Sequence, residues 1–253
     1  MRVMKTFIEL GSEGARRAAR RGDIVVLIDA LRASTTIACA LAAGASRVIP
    51  ALTVEEALAL RQQHGYLLAG ERGGAKIGGF DFGNSPTELL AHRDELSRRP
   101  LVLTTSNGTR CVRIAQEAGA PAILAAAPPN AHAAMRAASG LARHLNRDIT
   151  LLAAGLDDQP NDEDAFTAQA LRQILEHDFG VEPANGTENR VDPCEGWRVF
   201  TGSEAGGRLT RLGYEADVAF CAKFDLLDIA PIYRDELGFV TMKPEASPGR
   251  RPE

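Results

Sequence analysis

Lysine is scarce in this chain. Only four of its 29 basic residues are lysine (Lys5, Lys76, Lys223 and Lys243), which leaves 25 arginines against 33 acids and a net charge of −4. A protein that holds nucleic acid by neutralising phosphates carries an excess of positive charge, so no nucleic-acid partner is expected. Cysteine is as rare: Cys39, Cys111, Cys194 and Cys221 form no Cys-x-x-Cys pair, and none has an arginine six positions on. These spacings exclude a zinc ribbon and a cysteine-phosphatase loop, and with no export signal they argue against a disulfide framework. The five histidines form no His-Glu-x-x-His. Gly-x-Gly and Gly-Lys are both missing, which removes the dinucleotide fingerprint and the Walker loop. Apolar runs are broken by Arg, Asp or Gly, well short of the ~20 residues of a membrane span. Met1 to Leu10 has no signal-peptide core. The expectation is a cytoplasmic protein without a membrane partner, working through carboxylates, hydroxyls, arginines and at most a hard metal ion.

With 45% hydrophobic and 25% charged residues over 253 positions, whole-chain disorder is excluded. Strand and helix signals alternate. Asp23–Asp29 reads as a strand buried on both faces, followed by a helix over 34–43. Further strands are predicted at 47–50, 66–69, 101–104, 122–126 and 148–153, and further helices at 54–63 (capped by Thr53), 109–118, 131–145 and 162–179. Residues 180–197 read as irregular, a helical portion follows, and 229–233 and 239–242 read as short edge strands. Such βα repetition predicts an α/β fold, a layered α/β/α arrangement with a mostly parallel sheet. One unit over 1–242 is expected, with a division into two lobes between 126 and 148 as the alternative. Residues 243–253 read as a flexible tail. Ala-rich helices suit close packing between two copies, so a homodimer is an expectation.

In open α/β sheets, ligands bind beyond the carboxyl ends of strands. Asp29-Ala-Leu-Arg32-Ala-Ser34-Thr35-Thr36 places a carboxylate, a guanidinium and three hydroxyls at one such end and a helix start, where free N–H groups receive anions. Thr104-Thr-Ser106-Asn107-Gly108-Thr109-Arg110 repeats the layout. Between them, residues 70–86 contain six glycines, together with Glu71, Arg72, Asp81 and Asn84. Asp81 and Asn84 offer oxygens suited to Mg²⁺. A fourth group, Gly155 to Asp164, holds five acids including Glu163 and Asp164. The competing reading of all four is ordinary: helix caps, dipole partners and a solvated loop.

These segments, with Gly79-Phe-Asp-Phe-Gly-Asn-Ser-Pro86 and the later Ser203…Gly207-Arg208-Leu209…Asp217-Val…Cys221-Ala222…Pro231, come in the order and spacing of the ComB family. The chain resembles those 2-phosphosulfolactate phosphatases from about Val25 to Pro231. The resemblance implies a Mg²⁺-dependent hydrolase that converts 2-phospho-3-sulfolactate to 3-sulfolactate in coenzyme M biosynthesis. The chain departs from the family pattern at Ala154, Ala168-Gln169, Ser34 and Ser106. On the combined reading Asp29, Arg32 and Glu71 are catalytic candidates. Ser34, Thr35, Thr36, Arg72, Asn84, Ser106, Asn107, Gly108, Thr109, Arg110 and Arg208 are substrate-binding candidates. Some of Asp29, Glu71, Asp81, Glu163 and Asp164 would hold Mg²⁺. The partner is a small anionic phospho-acid. Two rivals stand: a non-catalytic binder of phosphorylated or sulfonated acids, and a phosphatase of the same fold with another natural substrate.

Overall fold

Two elements precede the first predicted strand. In the computed structural model, which describes residues 2–184 and 190–242, Lys5–Leu10 forms β1 and Gly11–Arg21 forms α1. Their weak sequence signal has a physical basis. The buried face of α1 consists of Gly11, Gly14, Ala15, Ala18 and Ala19, small residues that pack closely without making an apolar stripe. The partner of β1 lies far away in sequence, with Thr6 opposite Ile149.

The chain continues through β2 (Ile24–Ile28), α2 (Ala33–Ala42), β3 (Arg47–Ala51), α3 (Val54–His64), β4 (Leu67–Arg72), β5 (Ala75–Lys76), α4 (Pro86–Ala91) and α5 (Arg93–Leu96). Next come β6 (Pro100–Thr104), α6 (Gly108–Glu117), β7 (Ala122–Ala125), α7 (Ala131–Leu145), β8 (Ile149–Ala153), α8 (Asp162–Phe179) and β9 (Glu182–Pro183). The last elements are α9 (Gly196–Gly202), α10 (Glu204–Arg211), α11 (Glu215–Cys221), β10 (Pro231–Arg234) and β11 (Gly238–Thr241). The predicted helices appear with ends shifted by a residue or so, and Thr53 caps α3 by accepting the Glu56 N–H. Gly70, Glu71 and Arg72, read as loop, belong to β4. Part of the expected irregular stretch, 185–189, and the expected tail, 243–253, lie outside the described residues. Among the described residues no helix is long and apolar enough to cross a membrane.

One sheet runs β5-β4-β6-β3-β11-β10-β7-β2-β8-β1-β9. The block β4-β6-β3 is parallel, as is β7-β2-β8-β1-β9. The antiparallel hairpin β10–β11 joins them. This corrects the expected edge position of the last two strands: they lie in the interior of the sheet, with Ile232 and Phe239 buried. Pro231 is tolerated because it opens its strand. Gly238, at φ 80°, lets the hairpin approach β3 so closely that a Cβ there would stand 2.3 Å from the Val48 carbonyl oxygen.

The sheet curls. Flat, β4 and β2 would stand about 29 Å apart, six spacings of ~4.8 Å. Yet Glu71 of β4 and Asp29 just after β2 both accept N–H groups from the single turn Ser106–Gly108. Residues of both blocks therefore share one core, with Val25, Leu27, Leu101 and Leu103 packed around Ile37 of α2 and Cys111 of α6. The outer faces pack against α7 and α8 on one block and against α3 on the other. The result is the layered α/β arrangement with a mostly parallel sheet that the βα alternation predicts.

Candidate active site

A cavity of about 720 Å³ opens where β2, β4, β6 and β8 end, lined by Asp29, Glu71, Ser106, Asn107 and, from the turn after β8, residues that include Gly155, Asp157 and Asn161. Curling of the sheet brings these four strand ends to one place. Segments from α8 and α10 close the far side with Glu163, Glu204 and Arg208.

Asp29 sits between two helix starts. Its Oδ1 accepts the Ala33 N–H of α2 at 3.0 Å, and its Oδ2 accepts the Gly108 N–H of α6 at 3.0 Å. Glu71 behaves alike: Oε1 accepts the N–H and hydroxyl of Ser106, each at 3.0 Å, and Oε2 accepts the Gly74 N–H at 2.7 Å. The two helix N-termini that the sequence offered to a ligand are thus already occupied by the protein's own carboxylates. The physical reason is the same preference of free N–H groups for negative charge. Each carboxylate keeps lone pairs free for the cavity, since it has about four acceptor sites.

Acids crowd this point. Burial, the mutual repulsion with Glu71 and the repulsion with Glu163 push Asp29 up to about 6, against the opposing pull of the Ala33 and Gly108 N–H groups. Asp164 lies beneath the wall, accepting the N–H groups of Ala30 at 2.8 Å and Gly155 at 3.1 Å. It is raised well above its usual range by burial and by Asp29. Burial also raises Glu163. Truncating Asp164→Ala strands two buried N–H groups, a cost of about 3 kcal/mol and a fall of roughly 10 °C in Tm. Thermal denaturation tests this, and a Tm within about 2 °C of wild type would mean that both N–H groups find other partners.

Arg32 supplies positive charge on the cavity wall although it is only 2% exposed. Its Nη1 donates to Asp217 at 2.8 Å, its Nη2 donates to the Gly74 carbonyl at 2.7 Å, and its guanidinium lies 4.4 Å over the Tyr214 ring. Arg208 approaches the same Gly74 from α10. Four buried polar atoms on the cavity wall lack a hydrogen-bond partner: Asn84 Oδ1, Asn161 Oδ1, Glu163 Oε2 and Arg208 Nε. Buried polar atoms left without partners are costly, so their convergence on one cavity marks a ligand seat.

The structure does not bring every candidate there. Glu71 and Arg72 are neighbours on a strand, so they point to opposite faces. Arg72 turns away to bond the Glu71 carbonyl and the Thr104 hydroxyl. Asp81 pairs with Arg61 and accepts the Leu68 N–H. Arg110 faces Asp158 at 3.3 Å, outside the cavity lining. Ser34 and Thr35 are buried in α2 and donate to the carbonyls of Leu27 and Ala30. Thr36 is fully buried, and Thr109 donates to the Thr105 carbonyl. The hydroxyls of Ser34, Thr35 and Thr109 satisfy nearby backbone instead of a ligand, while the buried Thr36 hydroxyl has no partner and does not line the cavity. Gly108 contributes its N–H to Asp29, and Asn107 lines the wall while accepting the Asp157 N–H. Sequence reasoning missed the role of Asp217 and Tyr214 in holding Arg32. Only tertiary contact across 185 positions connects Asp217 with Arg32, and no local pattern encodes it.

Thiol chemistry finds no support. Cys39, Cys111 and Cys221 are buried, which pushes each thiol upward and away from the nucleophilic thiolate.

A family profile described as 2-phosphosulpholactate phosphatase matches residues 12–236. That span contains every wall residue of the cavity. The chain belongs to this family. It is 37% identical over 213 residues to the probable 2-phosphosulfolactate phosphatase of Carboxydothermus hydrogenoformans, covering 82% of this chain and 84% of that one. Its likeness to the proteins of the same name in Symbiobacterium thermophilum and Thermus thermophilus is 38% and 35%. These cover 85% of this chain in both cases, and 92% and 90% of the relatives. The enzyme is therefore a phosphatase, a phosphoric monoester hydrolase, and the reading as a non-catalytic binder falls away.

Proposed function

We propose that this phosphatase hydrolyses 2-phospho-3-sulfolactate to 3-sulfolactate and phosphate with Mg²⁺. The observation that carries the reading is one cavity combining a buried cluster of acids with two guanidiniums flanking Gly74. A substrate with phosphate, sulfonate and carboxylate groups needs such guanidiniums, and the acids require a cation if they are to face an anion. The names of the relatives support the substrate.

The residues present fit the metal. Among the described residues no three His, Cys, Asp or Glu side chains form a ready cage. Mg²⁺, however, is commonly held by one or two carboxylates with waters and substrate phosphate. Glu163 Oε2 and Asn161 Oδ1 are unpartnered oxygens on the wall, next to each other because the Asn161 amide donates to Glu163 Oε1 at 3.0 Å. These two, with Asp29 or Glu71, are the residues that would hold it. Bound there, the ion would neutralise charge on the phosphoryl oxygens. Arg32 and Arg208 bind and orient the substrate's anionic groups. Asp29 either takes the proton of the attacking water or attacks phosphorus itself, its two backbone N–H bonds fixing its direction. The ester bond from phosphorus to the C2 oxygen breaks, and that oxygen takes up the proton Asp29 removed from water, or one from solvent, and leaves as the product hydroxyl. Where Asp29 attacks phosphorus itself, water then hydrolyses the aspartyl phosphate, which releases phosphate and restores the carboxylate.

Phosphate release from 2-phosphosulfolactate, 2-phospholactate and 2-phosphoglycolate, each with Mg²⁺ and with a chelator, tests the proposal. The sulfonated substrate should have the highest kcat/KM by about tenfold or more, the effect of a charge-assisted contact, and chelation should abolish turnover. A preference for 2-phospholactate would give the enzyme another natural substrate. Undiminished turnover in chelator would remove the metal.

A further inference from the structure

Asp217 is 1% exposed and does not line the cavity, yet four hydrogen bonds end on its carboxylate. Oδ2 accepts Arg32 Nη1 at 2.8 Å. Oδ1 accepts the Ser85 hydroxyl at 2.9 Å, the Thr87 hydroxyl at 2.6 Å and the Thr87 N–H at 3.2 Å. A single side chain on α11 thus ties the start of α2 to the start of α4. We propose that Asp217 is the positioning residue that holds the Arg32 guanidinium toward the substrate's anionic group. The proposal rests on the reading of Arg32 as an anion-binding residue of the phosphatase.

A guanidinium has five N–H donors. Two of those of Arg32 go to Asp217 and the Gly74 carbonyl, and Tyr214 covers one face of the group. Three donors remain beyond these two bonds, on a side chain that lines the cavity wall. Asp29, Glu71 and Glu163 line that same cavity. Freed from Asp217, Arg32 would pair with one of these acids, which would cancel the charge the substrate needs. A buried carboxylate behind the guanidinium prevents this and holds a planar, pre-oriented fork in place. Asp217 touches neither substrate nor reacting atoms, so it acts only through Arg32.

A double-mutant cycle decides the point. Asp217→Asn, Arg32→Ala and the double variant are compared in full-length enzyme with Mg²⁺. The comparison covers KM and kcat for the best phospho-acid and Kd for inorganic phosphate by titration calorimetry. Folding of each variant is followed by circular dichroism. Asp217→Asn is expected to raise KM and the phosphate Kd about tenfold, with a smaller change in kcat, and to have no further effect once Arg32 is alanine. A penalty that multiplies in the Arg32→Ala background, or a KM and Kd within about twofold of wild type, would overturn the proposal. Should Asp217→Asn fail to fold, Asp217→Glu, which keeps the charge but moves it by one methylene, is put through the same cycle under the same criteria. If no phospho-acid is turned over, the functional reading fails separately, while the phosphate Kd still decides the role of Asp217.

Discussion

Asp29→Asn is expected to lower kcat by about 10³-fold, the range of a lost general base, with KM changed little. The variant should remain folded. Asparagine keeps one acceptor for the Ala33 or Gly108 N–H and loses the other bond, a cost of about 1 kcal/mol. It also removes one charge from the repulsion among Asp29, Glu71 and Glu163. The pH profile provides a second readout. Asp29 is raised to about 6, so in the metal-free site it is protonated below that pH and ionised above it. Activity of the wild type should therefore fall as pH drops through about 6 or lower, because a bound cation favours the carboxylate. Steady-state kinetics across pH on wild type and variant checks both statements. Full Mg²⁺-dependent turnover by Asp29→Asn would end the assignment.

Gly108→Ala is expected to lower activity by a steric route, less steeply. A Cβ at this first residue of α6 would stand 2.7 Å from Asp29 Oδ2 and 2.9 Å from the Ala33 Cβ. Neither neighbour yields easily, since Asp29 is bonded at both oxygens and Ala33 opens α2. The methyl must displace the carboxylate or part the two helix starts. A misplacement of about 1 Å at a reacting group costs roughly 100-fold in rate, and overpacking of this kind costs about 1–3 kcal/mol in stability. The expected result is a kcat/KM lowered roughly 100-fold in a protein that still melts cooperatively. An alanine variant with wild-type kcat would mean that Asp29 tolerates displacement and is not the reacting carboxylate.

Much of the fold is legible locally. Ile24–Ile28 is an unbroken apolar run and is buried at every position. Ala131–Leu145 and Asp162–Phe179 coincide with their predicted spans, since periodicity and end signals are properties of neighbouring residues. The hairpin β10–β11 is different. Its strands are short and one opens with proline, which locally resembles an edge, and only pairing with Leu124 and Val48 places it inside the sheet. Elements α1 and β1 likewise depend on distant partners for their burial.

The site divides in the same way. Position at a strand end is a local property, and it selected Asp29, Glu71, Ser106, Asn107 and, with the family motifs, Glu163 and Arg208, all of which line one cavity. Which groups face that cavity is decided by competition among side chains that only the folded chain brings together. Asp29 reaches the starts of α2 and α6, and Glu71 the turn before α6, ahead of any ligand. Arg61 draws Asp81 away, strand alternation turns Arg72 outward, and Asp158 stands against Arg110. The sequence by itself determined the kinds of group available, their order along the strands and the family to which they belong. The curl of the sheet, the occupation of the helix starts by carboxylates and the pairing of Arg32 with Asp217 were decided by tertiary structure. Apart from the Ala33 N–H, four residues from Asp29, these contacts join groups more than thirty residues apart in the chain, where no local periodicity reaches.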